Sequence, residues 1–153
     1  MANMSWLLIA KEVYYSDKGD MVIHEPLTNF IINSHEEGNE FEIVFGIHEF
    51  ELNTDTHAHI QIGFIENNKR DILGRSSVLL SKPKIDDFES KTINYEGNLT
   101  LSDFKFPKNG SYYITFDITE SSLTFYFNVS TIGDHRNEWT SFKHSSKRYT
   151  KSY

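Results

Sequence analysis

Phe104-Lys-Phe-Pro-Lys-Asn-Gly110, Ser111-Tyr-Tyr-Ile-Thr-Phe-Asp-Ile-Thr119, Glu120-Ser121 and Ser122-Leu-Thr-Phe-Tyr-Phe-Asn-Val129 follow one another near the end of the chain. They read as a turn, a strand, a tight turn and a second strand. Tyr112, Ile114, Phe116 and Ile118 share one face, opposite Tyr113, Thr115 and Asp117. Leu123, Phe125, Phe127 and Val129 form one apolar row on the returning strand. A hairpin with one such apolar face is marginal alone and needs a second sheet to cover it.

Working outward, similar signals recur. Met4 to Tyr15 alternates, with Leu8, Ala10, Glu12 and Tyr14 on one side and Leu7, Ile9, Lys11 and Val13 on the other. Asp17-Lys-Gly-Asp20 is a turn, and Met21 to Glu25 returns as an edge strand that Pro26 ends. Leu27 to Asn33 is a strand or a crossover. Phe41, Ile43, Phe45 and Ile47 lie on one face, with Glu42 and His48 on the other. Phe50 and Leu52 then change parity, which predicts a β-bulge near Gly46–Glu49. Ala58 to Ile65 pairs as a hairpin with Arg70 to Ser81, facing Ile60, Ile62 and Phe64 inward and His59, Gln61 and Gly63 outward. Lys82 to Glu96 reads as a long connection, and Asn98 to Phe106 as extended chain. About eight short strands separated by turns predict an all-β, antiparallel, immunoglobulin-like β-sandwich over residues 1–132. Residues 133–153 form a basic, aromatic C-terminal tail.

Composition fits one domain. The chain has 153 residues, 38% of them hydrophobic, with twelve Phe and eight Tyr. That aromatic excess favours strands. There is no cysteine, which excludes disulfides, thiolate metal sites and a cysteine nucleophile. Trp6-Leu-Leu-Ile-Ala10 is too short for a signal-peptide core or a membrane span, so a cytoplasmic protein is expected. The net charge of −7 is uneven. Residues 134–153 hold five basic groups against two acidic ones, leaving ten basic and twenty acidic groups in the remainder. An acidic body disfavours nucleic acid and anionic membrane as partners.

The order of elements carries a resemblance: Val13 to Pro26 around its turn, then Leu99-Thr-Leu-Ser-Asp-Phe-Lys-Phe-Pro107, Gly110-Ser-Tyr-Tyr-Ile-Thr-Phe116 and Phe127-Asn-Val129. Over roughly residues 4–131 it resembles a family of small uncharacterised bacterial β-sandwich proteins, and it is similar to immunoglobulin-like sandwiches generally. Phe106-Pro107 and Gly110-x-Tyr112 mark a turn and the start of a strand. The resemblance implies a fold and no activity. Unlike antibody domains, the chain lacks cysteine and a core-strand Trp.

Candidate chemistry is sparse. His57 and His59 share a strand face and can approach one metal, with Asp55 as a third ligand and His48 facing them across a hairpin. The competing reading is a hydrated outer face. The carboxylates of Glu36, Glu37 and Glu40, and of Asp86, Asp87 and Glu89, read as solvated loops. Asn98-Leu-Thr100 and Asn128-Val-Ser130 match the glycosylation tripeptide by chance. No nucleophile elbow, phosphate loop or dinucleotide fingerprint is present.

In the tail, Trp139, Phe142, Arg148 and Tyr149 are of the types that dominate binding when buried. The expectation is therefore a non-enzymatic module that binds another protein and needs no cofactor. A small accessory or inhibitor protein, in a phage or mobile-element setting, fits this profile. Pairing of copies through an edge such as Met21–Glu25 is a further route. The alternatives are a metal-binding protein or metal-dependent hydrolase built on the His-x-His pair, and a small-ligand sponge.

Overall fold

A computed structural model describes residues 1–52, 54–80 and 92–133. Among the described residues nine strands follow in order: β1 (Asn3–Tyr15), β2 (Met21–Pro26), β3 (Asn29–Ile32), β4 (Asn39–Glu51), β5 (Thr56–Glu66), β6 (Lys69–Leu80), β7 (Thr92–Phe104), β8 (Gly110–Ile118) and β9 (Ser121–Thr131). They form two sheets, one ordered β2-β1-β4-β7 and the other β3-β9-β8-β5-β6. All pairings among the described residues are antiparallel except β3 with β9.

The three hairpins read from the sequence are present, β1–β2, β5–β6 and β8–β9. The turn of β5–β6 is two residues, Asn67 and Asn68, both at positive φ (51° and 60°). Asn tolerates that region, and its twist matches the flanking strands.

The ninth strand comes from the stretch after Pro26, which is crossover and strand at once. The N–H of Leu27 still donates to the Ile9 carbonyl on β1 (2.9 Å), while the Thr28 carbonyl already accepts from Asn128 on β9 (2.9 Å). The chain thus changes sheets within two residues. Proline supplies no donor for a further rung.

The bulge in β4 lies where the parity change placed it. The register with β7 shifts between Ile47 and Phe50, and Glu49 sits at φ 58°. Both Ile47 and Phe50 are buried although they are three apart. A correction falls on Lys82 to Glu96. Residues 81–91 lie outside the described part, but β7 begins at Thr92, so Ile93 and Tyr95 belong to a strand rather than a connection. Tyr95 stacks on Phe50 at 4.4 Å between centroids. Isolated apolar residues among charges hid that strand.

Between the sheets, Phe41, Phe45, Phe106, Tyr112 and Phe116 are essentially sealed from solvent. Phe45 meets Phe116 at 4.4 Å, and Phe106, from the β7–β8 connection, packs on Phe30, Phe104 and Tyr112 at 5.0–5.3 Å. Such offset and edge-on pairs add to area burial.

The order β1-β4-β7 against β6-β5-β8-β9 matches strands A-B-E and C′-C-F-G of the immunoglobulin sandwich. The Tyr112 hydroxyl donates to the Lys108 carbonyl (2.5 Å). This is the tyrosine corner found at the start of strand F in that fold.

Candidate interaction surface

The outer faces of the two sheets differ in chemistry. On the four-stranded sheet, Glu42 accepts from Asn98 Nδ2 (3.0 Å) and Thr100 Oγ1 (2.8 Å). Tyr15 reaches from β1 to donate to Asn98 Oδ1 (2.9 Å). Partial burial, then the carboxylates of Glu42 and Glu96, push the Tyr15 phenol above its ordinary range. This face is not wholly polar. Ala10 and Val44 are fully buried on it, and the Trp6 indole lies over Gly46, where an added Cβ would fall 2.1 Å from Nε1.

The five-stranded sheet carries a different outer surface. Register places Ile72, Gly63, Tyr113 and Tyr126 in one cross-strand row. Gly63 has no side chain to raise the neighbouring ring. A Cβ there would meet the Tyr113 ring at 2.7 Å and the Asp71 carbonyl at 2.4 Å. Tyr113 therefore lies flat and is fully buried although it points away from the core. Its hydroxyl accepts from Gln61 Nε2 (2.9 Å).

Arg70 closes over it, with the guanidinium carbon 4.8 Å from the Tyr113 centroid and 5.7 Å from that of Tyr126. Its Nη2 donates to the Tyr126 hydroxyl (2.5 Å). Tyr126 remains 55% exposed, and Ile72 and Leu79 are similarly open. The next row holds Arg75, Gln61, Thr115 and Thr124. A half-exposed phenol held by a stacked cation can insert into a partner and accept or donate one hydrogen bond.

His57 and His59 do stand on one face of β5, the outer one, beside Leu79 and Ser77. His59 Nδ1 lies 2.7 Å from Ser77 Oγ. The expectation that His48 faces them is corrected. β4 and β5 belong to opposite sheets, and His48 instead meets Asn94 Oδ1 (2.8 Å). Among the described residues no group of three or more His, Asp or Glu side chains is placed to hold a metal ion.

Trp139, Phe142, Arg148 and Tyr149 lie outside the described residues, as do Asp86, Asp87 and Glu89. Asn98 and Asn128, of the glycosylation tripeptides, are both strand residues held by side-chain hydrogen bonds. Sequence reasoning missed Arg70 and Tyr126. The available signal was aromatic residues at outward parity, Tyr113 and Tyr126, beside an outward glycine.

No protein-family model and no curated protein matches the chain. Among solved structures, a Niemann-Pick type C2 protein from Japanese carpenter ant is similar, with 13% identity and a TM-score of 0.45, over 84% of this chain and 92% of that one. By its own strand order and register, this chain is an immunoglobulin-like β-sandwich with a tyrosine–arginine outer surface. None of its described helical turns is long and apolar enough to cross a membrane.

Proposed function

We propose that the protein is a non-enzymatic binding module that docks another protein on the outer face of its five-stranded sheet. One observation carries this reading. Arg70 is clamped across Tyr113 and Tyr126, and Tyr126 is left half open. Tyrosine and arginine are over-represented among residues whose truncation costs a complex most. Ordering these side chains before contact lowers the entropy lost on binding.

The partner's surface has an apolar recess for Tyr126 and carboxylates within reach of Arg70 and Arg75. A small accessory or inhibitor protein would work in this way.

The test is affinity capture with the Arg70→Glu/Tyr126→Ala double variant against wild type. Circular dichroism and thermal melting verify that both are folded. Capture falls at least tenfold in the variant, the equivalent of about 1.4 kcal/mol. Undiminished capture by a folded variant contradicts the reading.

A further inference from the structure

β1 leaves one neighbour before it ends. Its pairing with β4 stops at Ala10 opposite Glu42, while its pairing with β2 runs on to Tyr15 opposite Met21. Among the described residues, 11–25 thus form a two-stranded ribbon with no ladder to the rest of the sheet.

The ribbon does not continue flat. Register puts Asn98 in the row of Leu8 and Val44, and Tyr15 is seven residues beyond Leu8 on β1. A straight strand would separate Tyr15 from that row by about 23 Å, beyond the reach of the two side chains. The Tyr15 hydroxyl nevertheless donates to Asn98 Oδ1 at 2.9 Å. The ribbon therefore folds back over the outer face of the four-stranded sheet and crosses β4. The bend coincides with Glu25, at φ 51°, just before Pro26. Its base is pinned, because the Leu27 N–H donates to the Ile9 carbonyl (2.9 Å).

The face beneath is apolar. Trp6, Leu8 and Ala10 on β1 and Val44 on β4 point outward, in rows with Glu96, Asn98 and Glu42. Ala10 and Val44 are 0% exposed, yet neither belongs to the core cluster between the sheets. Outward positions of an antiparallel sheet ordinarily face water and are polar.

One contact holds the ribbon down. Among the described residues, Tyr15–Asn98 is the only side-chain hydrogen bond or ion pair from 11–25 to the rest of the protein. Lys11 and His24 pair with Glu25 inside the ribbon, and Ser16 bonds Asp20 in its turn. Asn98 is oriented to receive the phenol, because its Nδ2 donates to Glu42 Oε2 (3.0 Å). Tyr14 and Tyr15 remain 54% exposed. A lone two-stranded ribbon is marginal, and segments with few buried contacts open at low cost.

We propose that residues 11–25 are a hinged strap over the four-stranded sheet, bending at Glu25–Pro26 and latched by Tyr15 to Asn98. Released, the strap uncovers the strip of Trp6, Leu8, Ala10 and Val44 while the sandwich stays folded. This device is independent of the sheet-face reading, because it shares no residue with the Arg70–Tyr126 surface.

The chain has no cysteine, so one introduced thiol reports one position. Val44→Cys places it under the strap. Ile114→Cys, in the core at 0% exposure, is the control. Thiol labelling of the full chain is followed with and without Tyr15→Phe. The expected result is labelling at 44 at least fivefold faster in Tyr15→Phe, with no change at 114. An unchanged rate at 44 would overturn the proposal. Equal acceleration at both positions would overturn it too, since the whole sandwich would then be opening.

Hydrogen exchange gives a reading without cysteine. Tyr15→Phe speeds exchange in peptides within 11–25 and leaves 112–118 at the wild-type rate. Unchanged exchange in 11–25 contradicts the latch. The hinge is read by Glu25→Asn and Glu25→Val in the Val44→Cys background. Both lose the Lys11 pair, but asparagine tolerates positive φ and valine does not. Labelling accelerates in Glu25→Val and stays near the parent rate in Glu25→Asn. Equal rates in the two variants would overturn the hinge.

Discussion

Tyr112 is fully buried at the start of β8, and its hydroxyl donates to the carbonyl oxygen of Lys108, four residues earlier, at 2.5 Å. The Tyr112 hydroxyl oxygen also accepts from the Lys108 N–H, at 3.3 Å. One side chain thus ties the β7–β8 connection to the sheet, while its ring packs on Phe106 and Phe127.

Tyr112→Phe keeps the ring and removes the hydroxyl. It should lower unfolding free energy by about 1 kcal/mol, measured by urea titration. Burial raises the Tyr112 pKa, and the Lys108 N–H, which donates to the phenolic oxygen, only partly opposes this. A raised pKa favours the protonated folded state. The stabilisation is therefore complete below about pH 10, where unfolded tyrosine begins to ionise, and is lost as pH rises through the folded value. Tyr112→Phe should show a shallower alkaline loss of stability than wild type. An equal slope would assign the loss to Tyr15 and Tyr95, whose pKa values are also raised.

Two glycines make contrasting predictions. At Gly46 the atoms in the way belong to the Trp6 side chain, and at Gly63 the nearest is the Asp71 backbone oxygen. Either Ala substitution should cost about 1–3 kcal/mol. Trp6→Ala should remove most of the added cost of Gly46→Ala. Tyr113→Ala should leave most of the cost of Gly63→Ala in place. Double-mutant cycles by thermal melting read both couplings.

Lys108 is placed to look important and should matter little. Its ammonium lies 2.7 Å from Glu66 Oε2 and 4.1 Å from the Phe64 ring centroid. Both partners of the ion pair are about half exposed. Water and salt screen such a pair, so Lys108→Ala should cost less than about 1 kcal/mol. A larger loss in chemical denaturation would show that the ring contact dominates.

Much of this fold was legible because its strands announce themselves by alternation. Ile60, Ile62 and Phe64 on β5 face the core as their spacing required, and the parity change after Ile47 located a real bulge. β7 was read short because its first half, Thr92 to Gly97, mixes charge with isolated apolar residues, and only the tertiary contact of Tyr95 with Phe45 and Phe50 reveals them as core. The interaction surface was harder to see. Arg70 and Tyr126 are 56 residues apart and meet only through the register of four strands. The histidines show the reverse. His48 and His57 are near in sequence, yet the connection between β4 and β5 carries them to opposite sheets. Local spacing cannot report which sheet a strand joins.

The most direct measurement is site-specific photo-crosslinking in source cells, with benzoylphenylalanine placed at Tyr126 in one variant and at Thr100, on the opposite sheet, in another. The account predicts one dominant protein adduct from position 126 and none of comparable yield from position 100. Equal adducts from both positions, or an adduct from position 100 alone, would contradict docking on the five-stranded face.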